Sequence, residues 1–253
     1  LHLDLGRSGT GKPGQRADEL LMRQLLLEVQ LADYAVFDSF FVGENAAAVF
    51  ALRSLLRGGQ AMVWLWGNQE SGKSHLLQAL VAEAASQNIS SAYLPLADAQ
   101  LRPEMLEGMG ALDLLCIDDV QDVAGDPTWE AALFRLYEDL FQSGGRLVVA
   151  ANVAPGGAGF ALRDLGSRLA SGATFRLHGL SDEESLRALQ KRAGWRGLDL
   201  PEETAMYLLT RVQRSPSTLF VLLDRLDKEA LVAQRRLTVP FVRQVLDELQ
   251  TAS

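Results

Sequence analysis

One cysteine in 253 residues excludes any intrachain disulfide. Cys116 stands in LLCIDD, an apolar run that reads as a buried strand, so it is expected to be a small core residue rather than a reactive thiol. A reducing compartment fits this usage, and a cytoplasmic setting is the expectation. The three histidines are scattered, which removes a Cys/His zinc cluster. Positive charge is in deficit, 24 Lys and Arg against 32 Asp and Glu, a net charge of −8. Nucleic-acid binders usually show a basic balance or patch, so direct sequence-specific DNA binding is not expected, while action through a protein partner stays open. Long apolar runs are missing too. ELLMRQLLLEVQL is broken by Arg23 and Glu28, so it is neither a membrane span nor a signal core, and no membrane partner is expected. No repeat of solenoid period is present.

What the chain has is an ordinary globular composition, with 48% apolar residues, enough for one large domain or a large and a small one. Residues 1–21 are Gly-rich and polar. They read as a disordered or non-native extension, with Met22 as the expected start. From residue 44 onward, helical and strand patterns alternate. ENAAAVFALRSLLRGG reads as a helix closed by Gly58 and Gly59, AMVWLW (61–66) as a strand, and 73–87 as a helix. SSAYLPL (90–96), DLLCID (113–118), RLVVAAN (146–152) and TFRLHG (174–179) read as further strands. PTWEAALFRLYEDLFQSGG (127–145) reads as a helix with proline at its start and glycine past its end, and 160–171 as another helix. This order implies an α/β unit with a parallel sheet flanked by helices over 37–179. At Ser181 the pattern changes. Ser181 and Glu184 form a capping box, and only helices follow, so 180–253 is expected to be a small all-helical domain.

Between the first strand and the next helix lies GNQESGKSHL. Gly67, Gly72, Lys73 and Ser74 match G-x(4)-G-K-[ST], the phosphate-binding loop, in its required strand-to-helix setting. Chance produces the pattern in about one chain in a hundred of this length. Glycines let the backbone wrap phosphate oxygens. The N–H groups of the loop, Ser71 included, and the helix N-terminus supply positive potential. Lys73 is suited to the terminal phosphates and Ser74 to Mg²⁺. An earlier GTGKPG lacks a preceding strand and has proline after its lysine, which disqualifies it. The strand LLCIDD ends in Asp118, suited to hold Mg²⁺ through water, and Asp119, suited to orient an attacking water. Asn152, at the end of LVVAAN, faces the ligand crevice of a parallel sheet and suits a γ-phosphate sensor; judged alone, it reads equally well as a turn cap.

Taken together these stretches resemble the AAA+ class of P-loop NTPases, and within it the DnaA branch. FDSFFVGENAAAV (37–49), GNQESGKSHLLQAL and LLCIDDVQDVAG carry the likeness. DPTWEAALFRLYEDLFQSG, LRDLGSRLASG, LSDEESLRALQKRAGWRGLDLPEE and RRLTVPFVRQVL are similar to the short Hda-type homologues of DnaA, over a span from about residue 24 to the end. The resemblance implies an AAA+ α/β domain with a C-terminal helical lid, binding ADP or ATP with Mg²⁺. It implies regulatory inactivation of the initiator DnaA: stimulated hydrolysis of DnaA-bound ATP, together with the DNA-loaded sliding clamp, the β subunit of DNA polymerase III. A helix-turn-helix module of the initiator type is expected to be absent.

Two motifs belong to that implication. DLGSRLASG places Arg168 where the family carries an arginine finger, which neutralises charge on a γ-phosphate held by another subunit. Without the resemblance, a lone helical arginine reads as solvated surface. QLLLEV places Gln24, Leu25 and Leu27 where a clamp-binding peptide is expected within 22–36, although Q-L-x-L also begins many amphipathic helices. One departure stands in RVQRSPSTLF. The position aligned with the sensor arginine of the lid is Ser217, with Arg214 about a turn upstream, which leaves the grip of the lid on nucleotide open. Two other readings remain. A self-assembling ATPase of helicase-loader type would use Arg168 against a copy of itself, as a homo-oligomer. A small-molecule phosphotransferase shares the loop but would need a second substrate pocket and more lid cations.

Overall fold

The computed structural model describes residues 35–211, 216–233 and 235–251. Gln24, Leu25 and Leu27 therefore lie outside the described residues, as does Arg214. The first helix, α1, spans Ala46–Leu56, shorter than the sequence pattern because Glu44 and Asn45 form a tight 3₁₀ turn instead. Then come β1 (Met62–Trp66), α2 (Lys73–Ser86), β2 (Ser91–Pro95), β3 (Leu114–Asp118), α3 (Pro127–Gln142), β4 (Arg146–Ala151), α4 (Arg163–Leu169) and β5 (Ala173–Arg176). The five strands form one parallel sheet in the order β2-β3-β4-β1-β5.

Period two along each strand sends alternate side chains to opposite faces, and both faces are covered. Trp64, Leu115, Ile117, Leu147 and Val149 face one way, onto Leu133, Leu136 and Leu140 of α3 and Leu165 and Leu169 of α4. Val63, Leu65, Cys116, Val148 and Ala150 face the other way, onto Leu52 and Leu55 of α1 and Leu76, Leu77 and Leu80 of α2. Cys116 is fully buried, and burial raises its thiol pKa well above the usual value, so it packs as a core residue. Asp126 starts α3 by accepting from the N–H groups of Thr128 and Trp129, ahead of Pro127 at the first position.

After β5 come only helices: α5 (Asp182–Trp195), α6 (Glu202–Arg211), α7 (Pro216–Ala233) and α8 (Val239–Thr251). The expected capping box is formed, with Ser181 Oγ accepting from Glu184 N and Glu184 Oε2 from Ser181 N. These helices have their own core, in which Leu189, Leu208, Leu223, Leu226 and Val242 are wholly buried.

Among the described residues, hydrogen bonds tie the segment after β5 and the helical part to the residues before α1. Asn45, 3% exposed, donates to His178 O at 3.0 Å and accepts from His178 N at 2.8 Å, pinning the segment between β5 and α5. Lys191 of α5 donates to Phe40 O at 2.6 Å. Among the described residues, no helix is long and apolar enough to cross a membrane.

Candidate nucleotide-binding site

The parallel order places the C-terminal ends of β1, β3 and β4 side by side, and a crevice forms outside them. β1 delivers residues 67–72, which turn tightly into α2. Gly72 has φ 90°, a left-handed conformation that suits glycine, and a Cβ there would lie 2.7 Å from the Phe40 ring. A Cβ on Gly67 would meet Leu177 O at 2.5 Å and Ser71 Oγ at 2.8 Å. Gly72 is thus favoured by conformation as well as by space, and Gly67 by space alone. Three non-glycine residues among those described have positive φ, and two of them, Glu70 and Asp119, border this crevice. Strained backbone concentrates at functional sites, and here it marks the same edge of the sheet that the motifs do.

Lys73 is 5% exposed and spans the loop, its Nζ donating to Gly67 O at 3.0 Å and Asn68 O at 2.9 Å. Burial pulls its pKa below the ordinary lysine value, against the charges of Asp118 and Asp119, which raise it. Ser71 Oγ is buried inside the loop with no hydrogen-bond partner. An orphaned hydroxyl in a cradle that a Cβ would fill is what an absent phosphate leaves behind, so the residues fit that group.

The acidic pair divides by depth. Asp118 is wholly buried. It accepts from Tyr93 Oη at 2.8 Å through Oδ2 and from Asp119 N at 3.0 Å through Oδ1. Burial raises the Tyr93 phenol well above its usual pKa, and the Asp118 charge adds to that shift. Asp119 turns out of the strand and lines the crevice. Burial and the neighbouring Asp118 charge raise its pKa, so it holds a proton more readily than an exposed aspartate. Gln121 links the strand ends, its Oε1 accepting from Asn152 N at 3.1 Å and its Nε2 lying 3.4 Å from Asp119 Oδ1.

The crevice has a volume of about 420 Å³, the size of a small-molecule site. Of the residues singled out in the sequence, Ser71, Gly72, Lys73, Ser74, Asp119 and Asn152 line it; Gly67 and Asp118 stand just behind. Its aromatic wall comes mainly from FDSFFVG, a stretch that carries the family likeness, but no single side chain of that wall, and neither Arg192 nor Phe220 of the lid, stands out in the sequence. Phe40, Phe41 and His75 form one wall, and Arg192 and Phe220 come across from the lid. The Arg192 guanidinium lies 4.4 Å over the Phe220 ring and 3.3 Å from Asp224 Oδ1. His75 Nε2 lies 3.0 Å from Val36 O, and its ring tilts against Phe40. Burial lowers the His75 pKa more than its contact with Val36 O raises it, and the charges of Arg192 and Lys191 lower it further. For Ser217, a lid position of interest, only its place in α7 is described. Among the described residues there is no cluster of three or more His, Cys, Asp and Glu fit for a metal by itself.

Arg168 lies elsewhere. It sits on α4, whose inner face is locked by Leu165 and Leu169, and does not line the crevice. Its side chain is 45% exposed, lies 2.7 Å from Glu138 Oε1 and rests against the Phe134 and Tyr137 rings of α3.

Residues 31–177 match the model of the bacterial DnaA ATPase domain, more than half of the chain. The chain belongs to the bacterial DnaA ATPase-domain family. Residues 182–246 match a second model, the Hda lid domain, so it is an Hda-like member of the DnaA family and a DnaA-related regulator of replication initiation. Solved structures carry the same AAA+ fold. Domain III of the Thermotoga maritima initiation protein DnaA is 22% identical, with a TM-score of 0.70 over 85% of this chain and 97% of that one. AMPPCP-bound DnaA from Aquifex aeolicus is 22% identical, with a TM-score of 0.67 over 88% and 71%. The Thermotoga maritima RuvB Holliday junction branch migration motor is 19% identical, with a TM-score of 0.62 over 87% and 74%. At these identities the likeness is one of fold. Within it, the DnaA-family loop, acidic strand end and lid of this chain close around one crevice.

Proposed function

We propose that this DnaA-family protein binds ADP or ATP with Mg²⁺ in the crevice and acts on DnaA, stimulating hydrolysis of DnaA-bound ATP together with the DNA-loaded sliding clamp. The observation that carries this reading is the place of Arg168: a half-exposed cation on an outer helix, outside the crevice of its own chain. A cation so placed has no phosphate of its own to serve, and across an interface it would meet the γ-phosphate of another subunit. The Hda-type lid supports DnaA as that subunit.

Within the crevice, the loop N–H groups and Lys73 would hold the phosphates, with the ammonium moving from the Gly67 and Asn68 carbonyls to phosphate oxygens. Ser74 and, through water, Asp118 would hold Mg²⁺; Asp119 would orient water and Asn152 would contact the terminal phosphate. Nucleotide, when bound, would supply the negative charge that Lys73 of the loop and Arg192 of the lid both border, and so would set how the lid stands against the loop. Gln24, Leu25 and Leu27 would occupy the groove of the clamp, an apolar pair with a register-setting amide. On DnaA, Arg168 would neutralise charge developing on the transferred phosphoryl group, an effect worth about 10³–10⁵ in rate.

The test is single-turnover hydrolysis of ATP on cognate DnaA with clamp loaded on DNA, as this protein is titrated in. Acceleration that requires both the protein and the clamp is expected. The intact set of Lys73, Ser74, Asp118 and Asp119 favours a second reading, a self-assembling ATPase. Turnover by this protein alone, rising steeply with its own concentration and with no effect on DnaA, would replace the first reading by that one.

A further inference from the structure

The helix that carries Arg168 is tied down by a carboxylate that neither the crevice nor the finger uses. Glu130, in the first turn of α3, is 1% exposed. Its Oε1 accepts from Gly125 N at 2.6 Å and Ala161 N at 2.9 Å, and its Oε2 from Leu162 N at 2.6 Å. The three donors come from two separate stretches, the turn before α3 and the turn before α4. Burial alone would push the Glu130 carboxyl up; the three N–H bonds hold it below its usual value, so it sits there as an anion.

The mechanics follow from the length of α4. It has seven residues, and Leu165 and Leu169 are its two buried anchors. An apolar stripe fixes the rotation of a helix about its axis but tolerates sliding along it. The Glu130 bonds fix the other end, because Leu162 is the residue from which α4 starts. Arg168 follows six positions later, on the same short rigid rod.

We propose that Glu130 is the positioning residue for Arg168: it sets where along α3 the helix α4 begins, and so where the guanidinium stands when a partner's γ-phosphate arrives. This rests on the reading of Arg168 as a finger acting in trans. A misplacement of about 1 Å in catalytic geometry costs about 10²-fold, so the effect belongs in the maximal rate rather than in docking.

The experiment titrates wild type, Glu130→Gln and Leu162→Pro into the DnaA hydrolysis assay, with ADP affinity and melting temperature measured on each. Glu130→Gln keeps the volume but sets an amide against N–H donors. Leu162→Pro removes one donor at φ −77°, a value proline accepts, and serves if the first variant does not fold. Expected is a fall of tenfold or more in the maximal stimulated rate, with the half-saturating concentration and ADP affinity within twofold of wild type. Hydrogen exchange over 160–169 should quicken while that of α2 stays unchanged. An unchanged maximal rate, or a loss confined to half-saturation or ADP affinity, overturns the proposal. If wild type gives no stimulation, the finger reading itself falls, and the positioning role falls with it.

Discussion

Under the proposed function, the phosphate loop and the Arg168 helix are two phosphate-directed elements built in opposite ways. The loop is turned inward. Its lysine is buried, its glycines are pressed by neighbouring atoms, and a serine hydroxyl waits unpartnered inside it. Arg168 is turned outward, resting on the aromatic face of α3 and on Glu138. An element that serves the nucleotide of its own chain leaves a record in that chain, as a cradle shaped to an absent anion. An element that serves another chain leaves no such record, only a rigid base and an exposed charge.

Separating the two should be possible by substitution. The largest effect within the crevice is expected from Lys73→Ala. A charge-assisted bond to phosphate is worth about 1.5–3 kcal/mol, so ADP affinity measured by calorimetry should drop roughly 10- to 100-fold. Retained affinity would mean that the loop does not hold phosphate, and the inward half of the comparison would break.

A middle effect is expected at the joint between Asn45 and the segment after β5. Asn45→Ala deletes both bonds to His178 and leaves a backbone N–H and C=O unsatisfied, a loss of about 1–3 kcal/mol. Thermal unfolding should register it as a lower melting temperature. An unchanged melting temperature would show that the joint does not depend on this clip.

The smallest effect is one of pH. His75 packs against Phe40 and borders the crevice, and its folded-state pKa lies below the ordinary 6.5. Below about pH 6.5 the unfolded chain takes up a proton that the folded chain refuses. Stability should therefore fall as pH drops from about 6.5 toward the folded value, and then level off. Melting temperatures at pH 7.5 and 5.5 should differ less in His75→Gln than in wild type. An equal slope in the two proteins would place the pH dependence elsewhere.

The parallel sheet and the loop were legible because each has a local signature, whereas the strand order β2-β3-β4-β1-β5 was not. Period-two and short apolar runs, caps and glycine placement are written within a few residues of one another. The partners of Asn45 and Glu130 were not, since the bonds they make span 133 and about 31 residues, and nothing local distinguishes a buried Glu in WEAAL from an exposed one. Asp118 was expected to hold Mg²⁺ through water, with nothing in the sequence to say how deep it stands. It lies wholly buried because β2 brings Tyr93 across it, a contact that only strand pairing reveals. Arg192 and Phe220 escaped notice because the lid closes on the crevice from helices that read as simple amphipathic packing. Arg168 was found by resemblance alone, since nothing local in LRDLGSRLASG distinguishes it from a solvated helical arginine.

The central claim is that Lys73 serves the nucleotide of this chain and Arg168 serves another's. The most direct measurement takes one variant, Arg168→Ala, through two assays: ADP binding, and stimulated hydrolysis of ATP on cognate DnaA with DNA-loaded clamp. The account predicts ADP affinity equal to wild type and stimulation reduced by about 10³-fold or to the unstimulated rate. Weakened ADP binding, or stimulation left intact, would contradict it.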